Sequence, residues 1–360
     1  MIDRRLFLMG GAAATALAPR VVRAATGAKV RAATGAKVRA VDAIAVPSGF
    51  NGVIAYARGG RIEHCRAIGY ADVEAGVPMT ADTRIRWGSA SKWLTSVAAL
   101  RLAEQGKLRI DAPIGTYLPN FRSDTGRQVR VDHLLSNTSG IPDLLTRQIA
   151  TEPALRTSTA QPADIVARFA NGDLAFAPGA GWDYAALNWA IVADILERVS
   201  GTAFPDLLHR LVFDPLRMRG AGLVQAGRPA IPQLAAAYAT VAPPVRKMVT
   251  VPPFLAASGN VAGTVRDAVN AAHGIVHGPL LTPASRRDLM RVRWPAQDYA
   301  LGGRVQAIGG ELWAWETGKV QAYRTHIAHR LSRSETIVVF NTTDMEQSAI
   351  AAWVESIAIA

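Results

Sequence analysis

Near the start of the chain an apolar stretch, Val53-Ile54-Ala55-Tyr56-Ala57, and an alternating one, Ile62 to Ile68, flank Gly59-Gly60. A glycine pair supplies the positive φ of a tight turn, so the pattern predicts a β-hairpin. Arg84-Ile85-Arg86-Trp87 alternates and runs straight into a helical pattern from about Ser91. Leu94, Val97, Ala98, Leu100 and Leu102 give that helix a broad apolar face, and Gly106 stops it. Such a helix belongs deep in a core. Residues 121–250 read mainly as helices: Pro162 to Ala170 opens with proline and acid in its first turn, Leu187 to Val199 is closed by Gly201, and Phe204 to Leu211 follows a Pro205-Asp206 start. Ala257-Ser258-Gly259-Asn260 breaks the pattern, and helices follow over residues 264–277 and 283–291. Strand patterns then cover 311–316, 323–330 and 335–340, before a terminal helix from about Glu346. Strands at both ends with helices between predict an α/β (α+β) fold. One sheet is built from both termini and flanked by helices. The expected division is a leader over 1–40, an α/β domain from 41–120 with 251–360, and a mainly helical domain over 121–250.

The first residues carry a different signal. Arg4-Arg5-Leu6-Phe7-Leu8 precedes a small-residue apolar stretch from Met9 to Ala18, then Val22-Arg23-Ala24, a small-x-small cleavage pattern. This predicts a twin-arginine-like signal and a periplasmic or secreted protein. Residues 23–30 and 31–38 are the same octapeptide, Arg-Ala-Ala-Thr-Gly-Ala-Lys-Val. A repeat this short builds no solenoid. It lengthens a flexible leader and repeats the site at Val30-Arg31-Ala32, so cleavage falls near Ala24 or Ala32. Cys65 is the only cysteine, which leaves no intramolecular disulfide to form after export. No apolar run reaches the roughly 18 to 20 residues of a membrane-spanning helix. The formal charge is +12, but the arginines are scattered, without a basic run or interleaved aromatics. That argues against nucleic acid as a partner and for exposure to anionic envelope material.

The chemistry centres on Trp87-Gly88-Ser89-Ala90-Ser91-Lys92. Ser89 and Lys92 are three apart, so at helical pitch they share a face and their side chains meet. A serine hydroxyl is a weak nucleophile until a neighbour takes its proton, and an amine does so only when neutral. Burial and a helix N-terminus both disfavour the ammonium form, whereas arginine never deprotonates. The chain has 40 Lys plus Arg, and only Lys29, Lys37, Lys92, Lys107, Lys247 and Lys319 are lysines. The bland alternative is a helix cap followed by a solvated charge.

In context, Thr83 to Lys92 resembles the nucleophile segment of the serine β-lactamase and penicillin-binding-protein superfamily. The resemblance is greatest to its class C β-lactamase, DD-peptidase and β-lactamase-like esterase branch. Further matches follow in order: Leu102 with Gly106-Lys107-Leu108, Tyr117-Leu118-Pro119, Leu134-Leu135-Ser136-Asn137-Thr138-Ser139-Gly140-Ile141-Pro142, and Phe213-Asp214-Pro215-Leu216 with Met218. They span roughly residues 45–345. The resemblance implies a β-lactamase/transpeptidase-like fold with an antiparallel sheet. It also implies a second motif, Tyr-x-Asn, matched at Tyr184-Ala185-Ala186. Tyr184 is then a second base, or the acid that protonates the leaving group, and a neighbouring cation such as Lys92 favours its phenolate. Ala186 stands where the motif has Asn, a departure that weakens the case for penicillin-like substrates. The third motif, Lys-Thr-Gly or His-x-Gly, is matched by Glu316-Thr317-Gly318. In that register the N–H groups of Lys319 and Ser89 form the oxyanion hole, with donors worth on the order of 3 kcal/mol each. Glu316 replaces a cation that would recognise a substrate carboxylate and would repel that group, unless Lys319 or Arg324 compensates.

Other chemistries find less support. His326 and His329 are three apart on a strand and should face opposite sides, which argues against a zinc pair. No Gly-x-Ser-x-Gly elbow surrounds Ser89, and Trp313 stands where a P-loop needs glycine. The expectation is therefore an exported serine hydrolase without metal or organic cofactor. Its substrate is a small or cell-wall-derived ester, lactone or amide. The alternatives are a β-lactamase or DD-peptidase proper, and a catalytically silent binding or sensor protein motivated by Ala186 and Glu316.

Overall fold

The computed structural model describes residues 34–247 and 251–360. The expected hairpin forms as β1 (Gly52–Arg58) and β2 (Arg61–Ile68), with Gly59 and Gly60 at φ +55° and +77° between them. At the other end, β3 (Arg304–Ile308), β4 (Glu311–Val320), β5 (Tyr323–Arg330) and β6 (Glu335–Asn341) form a meander. The two halves meet where β1 pairs with β6, giving a six-stranded sheet in the order β3-β4-β5-β6-β1-β2, antiparallel throughout. The sheet is thus built from both ends of the described chain.

Alternation along β1 explains why it is apolar without a break. Val53, Ala55 and Ala57 point into a core shared with the helices of the middle of the chain, while Ile54 and Tyr56 point into a second core beneath the terminal helix. A strand covered on both faces has no polar side to show. The helix over residues 34–43 (α1), with Ile44 just after it, and the terminal helix (α5, Gln347–Ile359) supply that second core through Val41, Ile44, Ile350, Val354 and Ile357. Buried Lys37 donates to Ile357 O at 2.8 Å and Ala358 O at 2.5 Å, a cation on the carbonyl end of α5. Within the stretch expected as leader, the second octapeptide copy is helical and packed from residue 34. The paired arginines and both expected cleavage positions, Ala24 and Ala32, lie outside the described residues.

On the opposite face lies α2 (Ser91–Glu104), buried on every side from Ser91 to Leu100. It is a central helix rather than an amphipathic one. Beside it runs α3 (Ala186–Ser200), which ends at Gly201 in the left-handed conformation (φ +63°). Then comes α4 (Val265–Val276), capped by Thr264 and Asp267. A two-stranded hairpin, Ala237–Val241 with Pro244–Lys247, interrupts the stretch expected to be mainly helical. Strand β3 was not expected from the pattern, and β4 runs four residues past its expected end, which carries Thr317 and Gly318 into the sheet.

Candidate active site

Ser89 sits in a single 3-10 turn, Gly88–Ala90, that feeds directly into α2. The turn is pinned from two sides. Ile85–Arg86 pairs with Val261–Gly263, and the Thr325 hydroxyl of β5 donates to Trp87 O at 2.8 Å. Two glycines let β4 lie against it. A Cβ on Gly318 would stand 1.8 Å from Trp87 O, and one on Gly88 (φ +53°) would stand 3.0 Å from Lys319 N. Glycine there is a condition of contact between strand and nucleophile turn. The backbone N of Lys319 is thereby brought beside Gly88, next to Ser89 in the chain. Beyond Trp315, β4 pairs only with β5, so its other edge is free of strand pairing from Glu316 to Val320.

Lys92 Nζ lies 3.0 Å from Ser89 Oγ and donates to Ser258 O at 2.8 Å. The amine is 4% exposed, and burial lowers its pKa from 10.5 to about 7, with the charge of Glu316 opposing and that of Arg304 assisting. Ser258 belongs to the break after residue 255. That turn is held on α2 by Thr95 Oγ1 donating to Ala257 O at 2.7 Å and by Val261 N–H donating to Ser91 Oγ at 3.2 Å. The sequence pattern marks this break but gives no hint that it holds the lysine.

Tyr184 faces Ser89 from the other side, its hydroxyl close enough to interact with Ser89 and its ring centroid 4.8 Å from Lys92 Nζ. The polar turn at Ser136–Gly140 places it. Asn137 O accepts from Asp183 N–H at 3.0 Å, Thr138 O from Gly179 N–H at 2.8 Å, and Gly140 O from Ala175 N–H at 2.8 Å. The sequence left Tyr184 as either base or acid, and its surroundings bear on that choice. Burial, followed by the charge of Glu316, raises the Tyr184 pKa above its ordinary value, so the group is held as a phenol. With a pKa of about 7, Lys92 is only partly charged at neutral pH and supplies no steady cation to stabilise a phenolate. At Ala186 no side-chain amide is present. Its N–H opens α3 and donates to Asp143 Oδ2 at 2.8 Å, while nearby Asn188 accepts from Ser139 Oγ at 2.7 Å in a structural role.

Glu316 is almost fully buried, and Arg304 Nη1 contacts its two oxygens at 2.6 and 2.8 Å while Thr317 N–H donates to Oε1 at 2.9 Å. Neither cation named from the sequence does this. Lys319 is exposed, and Arg324 donates to Met345 O, Gln321 O and Asp344. The compensating arginine comes from β3, the strand that the pattern did not reveal. Tyr299 and Trp182 were also missed; they pack with Tyr184 at ring distances of 6.2 and 5.9 Å. His326 and His329 separate as expected, His326 against Trp315 and His329 against His277. Among the described residues no group of His, Cys, Asp or Glu is arranged to hold a metal ion.

The structure thus combines a sheet built from both ends of the described chain, a serine and lysine at the start of a buried helix, and a tyrosine facing them. A sequence model described as Beta-lactamase matches residues 40–358, and the chain belongs to that family. It is 35% identical over 185 residues to esterase EstB of Burkholderia gladioli, covering 48% of this chain and 47% of that one. It is 32% identical over 183 residues to a D-aminopeptidase of Cereibacter sphaeroides, covering 50% and 34%. The matched stretch thus spans about half or less of these relatives. Among solved structures, the hydrolase EstCE1, described as having promiscuous acyltransferase activity, superposes with a TM-score of 0.73 at 21% identity over 94% of this chain and 100% of its own.

Proposed function

We propose that the chain is a serine hydrolase that cleaves an ester or amide through an acyl-enzyme on Ser89. The observation that carries this reading is the buried Lys92 amine, 3.0 Å from Ser89 Oγ and titrating at about 7. An amine in that state accepts the serine proton at neutral pH, which an ordinary lysine does not. Ser89 Oγ attacks the carbonyl as its proton passes to Lys92, and the N–H groups of Ser89 and Lys319 hold the oxyanion. As the bond to the leaving group breaks, that group takes the Tyr184 proton, and Lys92 returns its own to the phenolate. Water repeats the sequence with the acyl group and frees Ser89.

Charge no longer counts against carboxylate-bearing substrates, because Arg304 neutralises Glu316 within the protein. Short neutral esters remain the favoured class, supported by the similarity to an esterase and by the absence of an amide side chain at position 186. Export by the twin-arginine-like segment is part of the same proposal, supported by Arg4-Arg5 and the small-residue stretch after them. The test is a panel of short acyl esters, a lactone, a D-amino acid amide and a chromogenic cephalosporin with wild type and Ser89→Ala. The reading expects ester turnover that vanishes in the variant. Turnover that survives Ser89→Ala, or a cephalosporin rate well above every ester rate, would refute it.

A further inference from the structure

Tyr184 has to present its hydroxyl to Ser89 from an unfavourable place. It lies on irregular backbone between Gly181 and Ala185, and 38% of its surface is exposed. A phenol so placed turns freely about its side-chain torsions unless its ring is held. Two aromatic neighbours hold it. The Trp182 ring lies 5.9 Å away and the Tyr299 ring 6.2 Å away, edge-on at 90°. Trp182 and Tyr299 also meet each other at 5.6 Å, which closes a triangle. Tyr299 is the fixed corner. It is fully buried, and its N–H and C=O exchange 3.1 Å hydrogen bonds with Trp294. Behind it the Arg304 guanidinium lies 5.1 Å from the ring centroid, locked in turn by Glu316.

We propose that Trp182 and Tyr299 are positioning residues for Tyr184, and that the Glu316–Arg304 pair is the prop behind Tyr299. The departure at position 316 then has a purpose, since the buried carboxylate holds an arginine whose flat face supports the aromatic triangle. The rings do the holding. The Tyr299 hydroxyl lies near Asn137 but outside hydrogen-bonding geometry.

The inference rests on the reading that Tyr184 gives its proton to the leaving group, and leaving-group chemistry supplies the test. An alkoxide leaves only with a proton, whereas 4-nitrophenolate leaves without one. kcat and KM are measured for the ethyl and the 4-nitrophenyl ester of one acid, with Tyr184→Phe as the reference. Both esters give the same acyl-enzyme, so the comparison is made in kcat/KM, which reports acylation. Trp182→Leu and Tyr299→Leu are expected to lower it about 30-fold on the ethyl ester and less than about 3-fold on the nitrophenyl ester. Tyr299→Phe is expected to leave both rates intact. Arg304→Met, with the outer prop gone, should lose about 5-fold on the ethyl ester alone. Loss of folded enzyme lowers both esters together, so equal losses, or none, overturn the inference. If Tyr184→Phe shows the split and the Trp182 and Tyr299 variants do not, the inference alone fails. If Tyr184→Phe shows no split, the reading of Tyr184 fails and takes the inference with it.

Discussion

The nucleophile side of the site and the side that faces it are built in opposite ways. Ser89 and Lys92 come from one turn and one buried helix, so their spacing is set by local geometry and their rigidity by the core around them. Tyr184 stands on irregular backbone and is placed by parts that are far apart in the chain: the turn at Asn137, Trp182, and Tyr299 backed by Arg304 and Glu316. The first arrangement supplies a group whose charge is tuned by burial. The second supplies a group whose position is tuned by contacts. Breaking the two sides should therefore produce different failures.

The largest effect belongs to the helix side. Lys92→Met should lower kcat/KM by about a thousandfold or more, and Lys92→Arg should not restore it, since a guanidinium keeps its proton. The same change should make the protein more stable. A folded-state pKa of about 7 against 10.5 unfolded means the unfolded chain binds the extra proton between those values. Stability carried by Lys92 is thus lowest below pH 7 and rises with pH up to about 10.5. Removing the amine should raise the melting temperature at pH 7 by a few degrees and flatten that slope, as read by thermal denaturation across pH. Next comes the contact between the sides. Gly318→Ala drives a Cβ into Trp87 O and should cost about a hundredfold in kcat, with a clear drop in melting temperature.

A smaller effect concerns the pH profile. Below about 7 Lys92 is an ammonium without a lone pair, so kcat/KM should rise through that value. Tyr184, held as a phenol, should add no falling limb before pH 10. A bell with an alkaline limb at 8 to 9 would show that a required proton is lost there, and so that Tyr184 is not held as a phenol. The smallest effect is on the support of the facing side. Asp143→Ala removes the acceptor of the Ala186 N–H at the start of α3 and should cost about 1 kcal/mol of stability with a few-fold loss of rate.

The same division decides what the chain reveals before it is folded. Ser-x-x-Lys could be read because a helix brings positions three apart together. β1 and β6 could be read because their buried centres, residues 53–57 and 337–340, are unbroken apolar runs. Arg304 could not be found in this way. It reaches Glu316 only because β3 pairs with β4, and β3 is a half-exposed edge strand with a weak apolar signature. The mistaken choice of Lys319 or Arg324 has the same origin, since both are near Glu316 in sequence while the partner lies twelve residues back across a turn. The role of Tyr184, base or acid, stayed open in the sequence for another reason. It depends on whether Lys92 is charged, and burial decides that.

The central claim is that Ser89 is the nucleophile and that neutral Lys92 makes it one. The most direct measurement is the rate and position of phosphonylation by a fluorophosphonate, followed by intact mass and peptide mapping from pH 5 to 9. A single adduct on Ser89 is predicted. It should form faster as pH rises through about 7, be absent from Ser89→Ala, and form about a hundredfold more slowly or worse in Lys92→Met. An adduct on another residue, or one on Ser89 that forms at the same rate without Lys92, would contradict it.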